Sequence, residues 1–153
     1  MTVEKKELIR TAEAVARNAH EDQFRWDGKT PFITHPEIVA KSFYDFTADI
    51  PKDSIPLYIA TAWLHDVIED TPTEWIDLFK AKLPLSVIDA IRAITMRAEE
   101  TYIDYILRLK ENDIAREVKI RDIRHNMTEL GDKQKQRKEK YLCALYILES
   151  KKC

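Results

Sequence analysis

Glycine is nearly absent: Gly28 and Gly131 are the two in 153 residues. That excludes glycine-rich phosphate loops and argues against an all-β fold, whose tight turns need glycine repeatedly. Cysteine is equally scarce. Cys143 and Cys153 show neither metal-ligand spacing nor a disulfide framework, and read as reduced thiols of a cytoplasmic protein. No apolar run approaches the roughly 20 residues of a membrane span, and the opening Met-Thr-Val-Glu-Lys-Lys-Glu is too polar for a secretory signal. The net charge of −2 provides no basic field to recruit nucleic acid. What remains, 44% hydrophobic and 34% charged, is the composition of a soluble globular chain, and 153 residues make one domain able to bury a core. Neither a membrane nor a nucleic acid is expected as a partner; oligomeric state is not legible.

The apolar spacing is helical from end to end. Residues 4–20 place Leu8, Ile9, Ala12, Val15, Ala16 and Ala19 on one face. Asp27-Gly28 and Pro31 then mark a loop over residues 21–32. Thr34 is placed to cap a helix opening at His35-Pro36, with Glu37 three residues on, running to about Phe46. A turn at Pro51 to Ser54 precedes one continuous helix from Ile55 through Ile68. Thr71-Pro72-Thr73 ends it and caps a short helix over residues 74–82, and Pro84 opens another to about Met96. Residues 99–110 read as helix with Tyr102, Ile103, Ile106, Leu107 and Leu109 as the apolar face. Residues 114–127 carry Ile114, Val118, Ile120 and Ile123; Gly131 stops them, and residues 134–150 form the last helix. No segment alternates with period two for long enough to be a strand. The fold class is all-α, one bundle of about eight helices over residues 1–153.

The richest stretch is Ala62-Trp-Leu-His-Asp-Val-Ile-Glu-Asp-Thr71. Residues four apart share a helix face, so Glu69 sits a turn beyond His65 and Asp70 a turn beyond Asp66. Burying ionised carboxylates is costly unless a cation compensates them. A helix end whose carboxylates point into water is the plainer reading of the same pattern. His35 opens the second helix, and Asp122 lies among Ile120 and Ile123 with Asn126 one turn along. His35, His65, Asp66 and Asp122 make a mixed nitrogen and oxygen set that suits Mn²⁺, Fe²⁺, Zn²⁺ or Mg²⁺, with softness favouring a transition metal. Such an ion lowers the pKa of its water and offsets charge on a phosphoryl group.

Three stretches carry a resemblance. The order His35, His65-Asp66, Asp122 is that of the HD phosphohydrolase superfamily. More narrowly, Phe24-Arg-Trp-Asp-Gly-Lys-Thr-Pro-Phe-Ile-Thr-His-Pro36, Trp63-Leu-His-Asp-Val-Ile-Glu-Asp-Thr71 and Val118-Lys-Ile-Arg-Asp-Ile-Arg-His-Asn-Met127 resemble the hydrolase domain of RelA/SpoT homologues. Too short for a synthetase domain as well, the chain is similar to the stand-alone, small alarmone hydrolases, such as the metazoan SpoT homologues. The resemblance implies Mn²⁺-dependent removal of the 3′-pyrophosphate of (p)ppGpp, giving GDP or GTP and pyrophosphate. It implies His35, His65, Asp66 and Asp122 as metal ligands and Glu69 and Asp70 as the catalytic acidic pair. It also implies Arg25 against the guanine base, Asn126 lining the nucleotide pocket, and Arg137 and Tyr141 near the sugar and phosphates. The expected partner is a small-molecule nucleotide.

Trp26 stands where those sequences commonly have lysine, Arg121 where a small residue is usual, and Glu129 where long homologues have threonine. A negative charge at Glu129 would repel phosphate unless it points away. These departures bear on the substrate and keep two alternatives open: the same chemistry on another nucleotide (NADPH or a 5′-nucleotide), and a non-catalytic nucleotide-sensing module. His20 reads as structural and His125 as supporting the ligands or facing solvent; Trp63 and Tyr58 read as core. The run Lys133 to Lys140 reads as a solvated helix start, since acidic residues dilute it.

Overall fold

The computed structural model describes residues 1–45, 47 and 49–151. Among these residues it is all-α: α1 (Val3–Ala19), α2 (Thr34–Lys41), α3 (Ile55–Leu64), the single turn α4 (Val67–Asp70), α5 (Trp75–Lys80), α6 (Leu85–Ile94), α7 (Tyr102–Lys110), α8 (Asp113–Thr128) and α9 (Lys135–Glu149). The only strand-like pairing among them is one isolated bridge between Phe24 and Pro31. Phe46, the expected end of the second helix, and Cys153 lie outside the described residues. Among the described residues no helix is long and apolar enough to cross a membrane.

α3 is the axis. Ile-Pro-Leu-Tyr-Ile-Ala-Thr-Ala-Trp-Leu is apolar on every side, as a helix surrounded by others must be. α1, α2, α6 and α8 pack around it. The Thr61 hydroxyl donates to the Leu57 carbonyl at 2.8 Å and so enters the core satisfied. Trp63 and Tyr58 are buried here, as read from the sequence. A second, smaller cluster joins Tyr105, Ile106 and Leu109 of α7, Ile120 and Ile123 of α8, and Ala144 and Leu148 of α9. α8 belongs to both: Ala115 and Val118 face the first cluster, Ile120 and Ile123 the second. Lys119 and Asp122 sit at this seam, and the candidate site forms there.

Several local expectations are corrected. The continuous helix through Ile68 breaks at His65-Asp66, dividing α3 from α4. Thr34 does not cap; it is the first helical residue, and its hydroxyl donates to the Pro31 carbonyl at 2.8 Å. α5 starts at Trp75 under an Asp77 carboxylate that accepts from the Glu74 amide at 2.9 Å. α7 starts at Tyr102, capped by Thr101, and its buried face is Tyr105, Ile106 and Leu109. Ile103 and Leu107 point to solvent.

Candidate active site

The break in the central helix is a device for aiming His65. Its Nδ1 lies 2.6 Å from the Ala62 carbonyl oxygen, which can only accept, so Nδ1 carries the proton. Nε2 therefore faces the site with its lone pair, the form in which imidazole binds a metal. Asp66 follows with φ −104° and ψ −3°, in the sparsely populated bridge region that active-site residues favour. α4 then resumes, with the Asp70 amide donating to the Asp66 carbonyl at 2.9 Å.

His35 arrives from the first turn of α2, fully buried. Its Nε2 is 3.3 Å from His65 Nε2, 2.9 Å from Asp122 Oδ1 and 3.7 Å from Asp66 Oδ2. His65 Nε2 is 3.1 Å from Asp66 Oδ2 and 3.6 Å from Asp122 Oδ1. Ligand atoms bound about 2.0–2.2 Å from one ion stand about 2.8–3.6 Å apart, so the donors fit a divalent cation in both type and spacing. His35, His65 and Asp66 bring all their ligand atoms within 4.8 Å of one another. Asp122 joins through the two imidazoles.

The charges make the same demand. Burial disfavours a charged His65, yet Asp66 and Asp122 outweigh it and hold its pKa well above the ordinary imidazole value. Burial pushes Asp122 up, but Lys119 and the two histidines draw it well below the usual carboxylate range. Asp66 shifts down against burial because of His65. Positive charge belongs between these groups, whether a proton or a metal supplies it.

Around them stands a supporting layer in which Lys119 was not singled out from the sequence, while Asn126 and His125 were. Lys119 Nζ lies 2.8 Å from Asp122 Oδ2. Asn126 Nδ2 donates to Asp122 Oδ1 at 2.7 Å, and Asn126 Oδ1 accepts from Arg25 Nη2 at 2.8 Å. His125 stacks on His35, with centroids 4.9 Å apart, and their Nδ1 atoms lie 2.6 Å apart. Lys119 is three residues from Asp122 on α8, close enough in helical spacing to have been found, and His125, three residues on the other side, supports the ligands rather than facing solvent.

Arg25 is buried although it comes from a loop. That loop is pinned by Asp27, whose carboxylate accepts from the Lys29 and Thr30 amides and the Thr30 hydroxyl at 2.8, 2.8 and 2.6 Å. These bonds lower the Asp27 pKa to about 2, the Thr30 hydroxyl most of all. Gly28 makes the reversal at φ +68°. Arg25 then donates to Glu129 Oε2 from Nε at 3.1 Å and from Nη2 at 2.5 Å. Glu129 is thereby neutralised by Arg25. Arg121 points away from the site, donating to the Ser42 carbonyl at 2.6 Å and lying over Phe43. Trp26 is half-exposed beneath both the Arg25 and Arg137 guanidinium groups, each 5.1 Å from its ring. Tyr141 is half-buried against the second cluster, and burial pushes its phenol up.

Glu69 and Asp70 stand on α4, adjacent to the four donor residues. Both reach solvent, yet crowding by protein raises each above its ordinary value, with Asp66 adding to the effect. Glu69 also accepts a hydrogen bond from the Met96 amide.

A helical bundle that gathers a histidine, a His-Asp pair and a distant aspartate into one largely buried cluster is a domain of the HD type. The comparisons narrow this. A guanosine-3′,5′-bis(diphosphate) 3′-pyrophosphohydrolase of Haemophilus influenzae is 34% identical over 129 residues, covering 76% of this chain and 18% of that protein. The bifunctional (p)ppGpp synthase/hydrolase SpoT of Escherichia coli is 31% identical over 134 residues, 80% of this chain and 18% of that protein. A 3′-pyrophosphohydrolase of Vibrio cholerae is 41% identical over 64 residues, 42% of this chain. No protein-family model matches. The chain is an HD-type domain related in sequence to these pyrophosphohydrolases, and it spans 18% of the length of the first two.

Proposed function

We propose that this chain is a metal-dependent phosphohydrolase that removes the 3′-pyrophosphate of (p)ppGpp, with residues 1–153 acting as one catalytic domain and Mn²⁺ as the ion. The observation that carries the reading is the convergence of His35 Nε2 and His65 Nε2, 3.3 Å apart, on the carboxylates of Asp66 and Asp122. A divalent cation held there would supply Lewis acidity to the phosphoryl group and to a water.

The chain's own residues do the rest. Glu69 and Asp70 border the site, and their role is to orient the attacking water and accept its proton as the new P–O bond forms and the 3′ P–O bond breaks. Asn126 hydrogen-bonds both Asp122 and Arg25 and so fixes the nucleotide side of the pocket relative to the ligands. Arg25 and Arg137 frame Trp26 at that side, and the substrate's base and phosphates are assigned there with Tyr141 beside them. The pairing of Arg25 with Glu129 reduces the repulsion that Glu129 alone would impose on phosphate.

The test is incubation of the purified protein with ppGpp, with Mn²⁺ and after chelation, following GDP and pyrophosphate by chromatography. Mn²⁺-dependent release of both is expected. Nucleotide left intact in the presence of bound metal would overturn the substrate and direct the search to other nucleotides.

A further inference from the structure

His20 is buried, at 2% exposure, and lies outside the set of residues given roles above. It occupies the C-cap of the seventeen-residue helix α1 and stacks on Phe32, with ring centroids 4.6 Å apart. Its Nδ1 is 2.8 Å from Gln23 Oε1. Gln23 Nε2 in turn donates to the backbone carbonyl of Asp70 at 2.7 Å. The second bond settles the first. A carbonyl can only accept, so the Gln23 amide nitrogen faces Asp70 and its oxygen faces His20. His20 Nδ1 must then carry the proton, and because burial disfavours the charged ring, Nε2 is deprotonated, buried and without a hydrogen-bond partner among the described residues.

A histidine kept only for packing satisfies both nitrogens or is replaced by an apolar ring, because a buried unpaired acceptor is costly. Here the unpaired nitrogen is tolerated while Nδ1 makes a directed bond. The bond's effect reaches a residue 47 positions beyond Gln23. α4 is a single turn after a broken helix, too short to hold itself rigid, and its last residue is Asp70.

We propose that His20 is a positioning residue for Asp70: its Nδ1–H orients Gln23, and Gln23 clamps the Asp70 carbonyl and with it the catalytic turn. The clamp ties α4 to the end of α1 across the loop that carries Arg25. It links the acidic residues to the nucleotide-binding loop through two hydrogen bonds. The effect on turnover rests on the hydrolase reading above.

The experiment compares His20→Asn, His20→Gln, His20→Ala and Gln23→Leu by two readouts, hydrogen exchange of the amides from Ile68 to Thr71 and steady-state ppGpp hydrolysis. An Asn amide nitrogen can stand in for Nδ1, whereas a Gln amide falls nearer Nε2. Gln23→Leu and His20→Ala should each speed exchange at Asp70 and lower kcat by about tenfold or more, the usual cost of losing a supporting hydrogen bond at a metal site, with KM and bound metal little changed. His20→Asn should restore both readouts. Unchanged exchange in Gln23→Leu would overturn the clamp, as would rescue by His20→Gln but not by His20→Asn. Wild-type protein that leaves ppGpp intact would remove the hydrolase reading instead, and the exchange data would still decide the clamp.

Discussion

Arg25 illustrates what a residue's type conceals. As a cation in a loop it reads as a group that awaits substrate, yet it is buried and bonded to Glu129 and Asn126. Glu129 read as a charge hostile to phosphate, and its ion pair with Arg25 reduces that repulsion. Arg121 likewise departs from the family pattern but lies on Phe43, away from the ligands. His35, His65, Asp66 and Asp122 were singled out together through the family resemblance, since residue types and spacing alone left a solvated helix end open; the partners of Arg25 were not, because they are 101 and 104 positions away. Asp27 is the residue that holds Arg25 in place. Its native carboxyl titrates at about 2 against an unconstrained 3.8, so the turn's contribution is complete above 3.8 and is lost as pH falls toward 2. The amide resonances of Lys29 and Thr30 should lose their hydrogen-bonded shifts over that interval and hold them at neutral pH. Loss of those shifts already above pH 5 would contradict this role.

At the scale of elements, the helices were readable from apolar period and the breaks were not. α3 was expected to run through Ile68, since nothing in Leu-His-Asp-Val-Ile forbids a helix. The break comes from the His65 ring, which occupies the Ala62 carbonyl and leaves Nε2 for the site. Function overrides propensity at that point. α7 was misread in its facing because Ile103 and Leu107 remain exposed beside a buried Tyr105. The loop over residues 21–32 was read correctly from Asp27-Gly28 and Pro31, and its turn makes a clean prediction. Gly28 has φ +68° and open space where a Cβ would stand. Gly28→Ala therefore meets no neighbour and should lose about 1–2 kcal/mol through backbone strain alone, read from urea unfolding. An unchanged midpoint would mean that the left-handed turn is not required.

Across the whole molecule, the site lies where two apolar clusters meet. α8 shares its faces between them, and the polar residues Lys119, Asp122 and Asn126 lie along the seam. His35 comes from the N-terminus of α2, His65 and Asp66 from the end of the central helix, and the acidic pair from the turn beyond it. No single segment contains the site, so it depends on the bundle being assembled, and a bound ion should stabilise the fold in return. The most direct measurement takes bound Mn²⁺ and ppGpp turnover on the same samples of wild type, Asp66→Ala and Glu69→Gln. The account predicts that Asp66→Ala loses metal and turnover together, while Glu69→Gln keeps the metal and loses about a hundredfold or more in kcat. Full Mn²⁺-dependent turnover in Asp66→Ala, or wild-type turnover in Glu69→Gln, would contradict it.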